Sequence, residues 1–227
     1  MKKLIVFGFV MVLATLCHAQ DVTKFLGIPV DGTKSAMIQK LKEKGYTYDA
    51  KEDWLEGEFN GRDVILSVVT NNNKVYRIMV RDAYGVSETE IKIRFNTLCR
   101  QFEKNERYSS FVDDQTIPES DNISYEMMVH KKRYEASYIQ DNLDFDKALL
   151  SFAKEKVTEQ EFAELSNSEI ANLKSIVFNE YEDEFKHYCN VRMLSKCVWF
   201  TIMEVYGKYY ICLYYDNEYN KANGEDL

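Results

Sequence analysis

The chain has 227 residues, 45% of them apolar and 14% aromatic, with only 2 Pro and 9 Gly. That composition builds a packed core and excludes a disordered, collagenous or linker-like protein. Lys and Arg number 29 against 37 Asp and Glu, a formal charge of −8. With no Lys/Arg stripe to neutralise phosphates, neither nucleic acid nor an anionic membrane surface is an expected partner.

The chain opens with Lys2 and Lys3, an apolar run from Leu4 to Leu16, and the small residues of Cys17-His18-Ala19. This is the pattern of a secretory signal peptide over residues 1–19, followed by one domain over 20–227. The apolar run is too short to span about 30 Å of hydrocarbon, and no later segment is apolar enough to try. The expected location is therefore the periplasm or the extracellular medium. Lipid anchoring through Cys17 is the weaker reading, because Leu16 stands where lipoprotein processing requires a small residue. Export puts Cys99, Cys189, Cys197 and Cys212 in an oxidising compartment, with three possible pairings if all are bridged. Cys189 with Cys197, across a short polar connection, is one pairing, with Cys99 and Cys212 left as thiols or a second bridge. The competing reading makes them small core residues.

Along the chain, Asp31-Gly32-Thr33 starts a helix whose Met37, Ile38 and Leu41 form an apolar stripe ending at Gly45. Asn60-Gly61 is a hairpin signal joining Trp54–Phe59 to Arg62–Thr70, and Asn71-Asn72-Asn73 leads into a third strand, Lys74–Asp82. Ser87 and Glu90 form a capping box. Ile91, Phe95, Leu98 and Phe102 then recur at helical spacing. Residues 108–122 read as a polar surface loop. Ile123, Tyr125, Met127 and Val129 alternate and predict a strand, turned at His130-Lys131 into a partner carrying Tyr134, Ala136 and Tyr138. A helical excursion follows over 144–188, with capping boxes at Thr158/Glu161 and Ser166/Glu169. Val198–Tyr206 and Lys208–Asp216 are apolar on both faces and predict central strands around a hairpin tip at Gly207-Lys208.

Lys74-Val75-Tyr76 leading to Asp82 is echoed by Lys208-Tyr209-Tyr210 leading to Asp216, and partly by Lys132-Arg133-Tyr134. The expectation is an α+β fold of helix-then-β-meander units: a mostly antiparallel sheet of about seven strands, helices mainly on one face, possibly two joined halves at 20–85 and 86–227.

Signals for catalysis are sparse. His130 and His187 have no second ligand at metal spacing, no Gly-rich phosphate loop or nucleophile elbow is present, and no cofactor or metal is expected. The acidic groups Asp113, Asp114, Glu119 and Asp121, and Asp216, Glu218 and their Asn neighbours, lack Ca²⁺-loop spacing and read as solvated surface. The distinctive feature is tyrosine. Tyr206, Tyr209, Tyr210, Tyr214, Tyr215 and Tyr219 fall within fourteen residues. The echo with Tyr76, Ile78 and Val80 places Tyr210 on the core side, leaving Tyr209 and Tyr215 either packed under the helical excursion or exposed. Plain two-sided packing is one reading, and the other makes them, with Tyr206 and Tyr219, candidates for contact with a protein, peptide or glycan.

Two stretches carry a resemblance: Phe25–Thr33 with Lys44-Gly45-Tyr46, and Tyr206–Tyr210 running through Tyr215–Asn220 to Asn223–Leu227. On these the chain resembles small uncharacterised exported proteins of gut Bacteroidetes-type bacteria, which implies export and brings no known activity. Its helix-then-meander order is similar to that of exported proteins of the β-lactamase-inhibitor-like fold, a likeness that does not fix function. The expected function is a non-enzymatic binding or interaction module of the periplasm or cell envelope, using one sheet face. The alternative is a periplasmic hydrolase of glycan or peptide using a carboxylate pair.

Overall fold

The computed structural model describes residues 21–110, 112–140, 144–222 and Gly224. The segment read as a signal peptide, with Cys17, and residues Asn223 and 225–227 lie outside the described residues.

Helix α1 (Lys34–Glu43) starts where the Thr33 side chain accepts from the Ala36 N–H, and it buries Met37 and Leu41. Gly45, at φ +97°, releases the chain into a meander of β3 (Thr47–Asp49), β4 (Trp54–Phe59), β5 (Arg62–Asn71) and β6 (Lys74–Asp82). Both hairpins after β4 close through two residues at positive φ, Asn60-Gly61 and Asn72-Asn73, the type I′ geometry that matches strand twist. Helix α2 (Glu88–Glu103) carries the expected capping box and buries Ile91, Phe95, Leu98 and Phe102. A second meander follows: β7 (Tyr108–Ser109), β8 (Glu135–Gln140), β9 (Cys197–Val205) and β10 (Lys208–Asp216). A short helix, α3 (Ile123–Val129), precedes β8. The excursion α4 (Phe145–Lys154), α5 (Glu159–Glu164), α6 (Asn167–Glu180) and α7 (Glu182–Leu194) separates β8 from β9. A small ribbon of β1 (Lys24–Phe25) and β2 (Ile28–Pro29) stands at the start.

The two meanders share one antiparallel eight-stranded sheet in the order β3-β4-β5-β6-β10-β9-β8-β7, joined where β6 meets β10. The fold is α+β, with seven α-helices among the described residues. Side chains of α1 and α2 interdigitate with Val68, Ile78, Phe200 and Leu213 from one sheet face in a single apolar cluster. Phe95 meets Phe200 edge-on with ring centroids 4.9 Å apart. Arg94 of α2 fastens the helix to the sheet through Asp82, Nε to Oδ2 at 2.7 Å, and the same carboxylate accepts the Ile211 N–H at 3.1 Å. The excursion builds its own cluster around Phe152, Val177 and Phe185.

Several expectations change. Residues 123–129 form a helix, because Asn122 caps the Tyr125 N–H and Glu88 of α2 accepts from the Ile123 N–H at 2.7 Å. Within the 108–122 segment Ile117 is buried, paired with Asn96 through both its N–H and its carbonyl. The last hairpin turns at Tyr206-Gly207, one residue earlier than expected. All four cysteines after residue 20 are free thiols, so the Cys189–Cys197 bridge is not formed.

The internal echo fails by one residue, and the cause is visible. Val69 pairs with Arg77 and Thr70 with Val75, so Tyr76 is an extra residue in β6, a β-bulge that reverses the alternation after it. The corresponding stretch of β10 pairs with β9 without such a shift. Ile78 therefore stands opposite Tyr215 and Val80 opposite Leu213 on the helix-covered face, whereas the aligned Cys212 and Tyr214 point the other way.

Candidate binding face

Tyr209 and Tyr215 are 5% and 4% exposed and belong to the main core, which fits packing on both faces and corrects their reading as contact residues. The Tyr209 hydroxyl bonds to Ser124 Oγ, and the Tyr215 ring meets Phe25 edge-on at 4.9 Å. Burial is the main influence holding the Tyr215 hydroxyl well above its ordinary pKa. Tyr206 is fully exposed at the hairpin tip. Tyr219 is 42% exposed in a 3₁₀ turn (Glu218–Asn220) beyond the opposite end of β10. The four tyrosines do not form one face.

The same one-residue inversion turns a different set toward the face opposite α1 and α2. Register places Met79 opposite Tyr214 and Tyr214 opposite Trp199, Arg81 opposite Cys212 and Cys212 opposite Thr201, and Tyr210 opposite Met203. The Trp199 and Tyr214 rings stack at 4.1 Å, and the Arg77 guanidinium carbon lies 4.7 Å from the Tyr214 centroid and 5.4 Å from that of Trp199. Arg81 sits 5.6 Å over Tyr210. These are cation–π distances, and they hold long side chains flat on a rigid sheet. Burial pushes the Tyr214 hydroxyl up to about 12 and the Cys212 thiol up to about 11. Cys212 is wholly covered, with Sγ 3.1 Å from Met203 Sδ.

Toward the hairpin this face opens. Met203, Val205 and Tyr206 are large apolar residues exposed to solvent. Tyr84 is also exposed but stands apart from them, lining a small cleft with Glu58, Arg62, Asp63 and Asp82; its segment is bonded to β10 by Val86 and Tyr209, N to O at 2.9 and 3.0 Å. Gly85 lies so close to Tyr210 that an added Cβ would stand 2.6 Å from its Cζ. The missed residues had one sequence signal, the alternation of Arg77 and Arg81 with apolar residues along β6.

In the acidic clusters Asp113, Asp114, Glu119 and Glu218 are exposed as expected, whereas Asp121, Asp216, Asn217 and Asn220 are structural ties. Asp121 accepts from Lys132 at 2.6 Å and from the Tyr134 hydroxyl at 2.9 Å. Asn217 donates to the Val30 carbonyl, and Asn220 to Asp31 and the Val75 carbonyl, each at 2.8 Å. A separate cleft of about 680 Å³ lies between the β1–β2 turn, the β4–β5 hairpin and the C-terminal part of α2, and Glu58 is the one carboxylate lining it. Among the described residues no helix is long and apolar enough to cross a membrane. Comparison with protein-family models, curated proteins and solved structures finds no match.

Proposed function

We propose that the chain is an exported, non-enzymatic binding module of the periplasm or cell envelope. In this reading a protein, peptide or glycan partner rests on the open end of the sheet face, around Tyr206. The observation that carries this is the Tyr206-Gly207 turn. Type I′ turns demand positive φ at both central residues, which Asn, Asp and Gly tolerate and other residues resist by about 1–2 kcal/mol. The chain uses Asn at φ +52° and +47° in two such turns, yet here it holds a tyrosine at φ +50° with its whole side chain in water. Such local strain is retained where the surroundings over-determine it and function uses the displayed group. A tyrosine on a rigid hairpin offers a large apolar area and a polar tip at small entropic cost, and the exposed Met203 and Val205 extend that area.

The test is capture of partners from envelope extract and from soluble cell-wall glycans by the tagged protein, beside Tyr206→Asn. The variant relieves the turn and removes the ring, so loss of a specific partner reports recognition and not unfolding. Retention of every captured partner by Tyr206→Asn overturns the reading. Export is checked by the N-terminus of the secreted product, expected at Gln20 or Asp21.

A further inference from the structure

The cleft beside α2 has the volume of a small-molecule site, about 680 Å³ against the roughly 300–1,000 Å³ usual for such sites. Its wall is aromatic and fixed by packing: Phe59 against Phe25 with centroids 5.3 Å apart, and Phe102 edge-on to Tyr108 at 4.8 Å. Its lip is Leu26, the first residue of a two-residue β1–β2 turn, held at φ +52° and 39% exposed. This is the second place where the chain accepts left-handed strain to present a bulky apolar side chain.

The neutral polar groups around the cleft satisfy one another. Gln140 Nε2 donates to the Lys24 carbonyl at 2.8 Å and to the Tyr108 hydroxyl at 3.0 Å, the Lys24 N–H donates back to Gln140 Oε1, and Asn60 donates to Gln101 at 2.8 Å. The charges are left over. Lys24 and Arg107 line the cleft, and neither enters an ion pair among the described residues, while Glu58 is the single carboxylate present. The local excess is positive in a chain whose formal charge is −8. The Arg107 charge also acts on Tyr215, another lining residue, opposing in part the upward push of burial on its hydroxyl. A positive concavity in an acidic surface concentrates small anions, and an apolar wall selects those with an apolar body.

We propose that this cleft binds a small organic anion with an aryl or acyl body, its charged end held by Lys24 and Arg107 and its body lying on Phe59, Phe102 and Leu26. Two fluorescent probes of matched shape test it with the purified protein: anilinonaphthalene sulfonate, an anion, and phenylnaphthylamine, its uncharged analogue. The anion is expected to bind saturably at one site. The double variant Lys24→Gln/Arg107→Gln should weaken it about tenfold while leaving the uncharged probe within about twofold. Leu26→Gly, which keeps the turn, should weaken both. Met193→Gln, in the separate apolar groove between α4, α6 and α7, should change neither. Absence of saturable binding, equal weakening of the two probes by the double variant, or loss of anion binding in Met193→Gln overturns the proposal. Tyr206→Asn leaves both probes unchanged, so failure at the cleft and failure at the sheet face are read separately.

Discussion

Arg77 and Asp216 meet in a two-point fork across the β6–β10 seam, Nε 2.6 Å from Oδ1 and Nη2 2.8 Å from Oδ2, where the two meanders join. The carboxylate also accepts from Trp199 Nε1 at 3.1 Å and faces Lys221 Nζ at 3.1 Å, with only 2% of its side chain exposed. Burial, the largest single influence, pushes this carboxyl up; the Arg77 fork, the Trp199 N–H and Lys221 together outweigh it and hold it below its ordinary value. A carboxyl lower in the folded than in the unfolded chain stabilises fully above the unfolded value of about 3.9, and that contribution fades as pH falls through the folded value. Asp216→Asn should cost about 3 kcal/mol at pH 7, as removal of one partner of a buried pair does. The gap between the urea midpoints of the two proteins should then narrow below about pH 4. An equal gap at pH 7 and pH 3 would contradict this account of the seam.

Strain at the bulky turns gives an independent expectation. Tyr206→Asn and Leu26→Asn each relieve a left-handed residue that dislikes it, and each should stabilise by about 1 kcal/mol. For a chain of this length that raises the melting temperature by about 2–4 °C. Asn72→Tyr, at φ +47°, should lower it by a similar amount. Melting curves that leave all three variants at the wild-type temperature would remove the argument from strain to function.

The two faces of α2 should separate cleanly. Phe95 is 1% exposed against Phe200, whereas Ile93, two residues earlier, is 63% exposed. Phe95→Ala should cost about 3–5 kcal/mol through lost burial and the cavity left behind. Ile93→Ala should stay within about 0.5 kcal/mol, as surface changes do. Comparable urea midpoints for the two variants would mean that α2 buries a different face.

What the sequence showed and what it hid follow from the range of the interactions involved. α2, the Asn turns and the Tyr134, Ala136, Tyr138 face were legible because a capping box, a turn dipeptide and a period are local signals. Residues 123–129 were not. Ile123 and Met127 fit a helix, Ile123, Tyr125, Met127 and Val129 fit a strand, and the choice falls to Glu88, which bonds both the Ile123 N–H and the Ser124 hydroxyl at 2.7 Å from 35 and 36 residues away. The tyrosine face was misassigned because a bulge at Tyr76 inserts one residue with no composition signal, and a slip of one exchanges the faces of a strand. Tyr206 was among the candidates but was read as the end of a strand, because the turn falls one residue earlier than the Gly207-Lys208 signal suggests.

Packing without a side chain carries a further expectation. A Cβ at Gly57, in β4, would stand 2.5 Å from Tyr46 Cδ1 and 2.9 Å from Cε1. Tyr46 has no slack to give, being 6% exposed with its hydroxyl donating to the Glu58 carbonyl at 3.0 Å. Gly57→Ala should therefore cost about 1–3 kcal/mol as overpacking, although alanine is ordinarily the better strand residue. Recovery in Gly57→Ala/Tyr46→Phe would assign the cost to the hydroxyl's anchoring. Recovery only in Gly57→Ala/Tyr46→Leu would assign it to the ring.

The thiols test a covalent state on which the proposed export bears. Cys197 lies four residues along β9 from Thr201, the residue opposite Cys212. At about 3.3 Å per residue that is roughly 13 Å, beyond the about 7 Å between Cα atoms that a disulfide tolerates. Burial pushes Cys99, Cys197 and Cys212 up to about 11 and raises Cys189 as well, so the reactive thiolate is scarce at neutral pH. The protein purified from an oxidising medium should therefore show the same intact mass with and without reductant. Iodoacetamide at pH 8 should leave all four cysteines unmodified under native conditions and alkylate all four in urea. A mass lower by two hydrogens before reduction, or rapid native labelling of Cys212, would show that the central strands are more open than their packing implies.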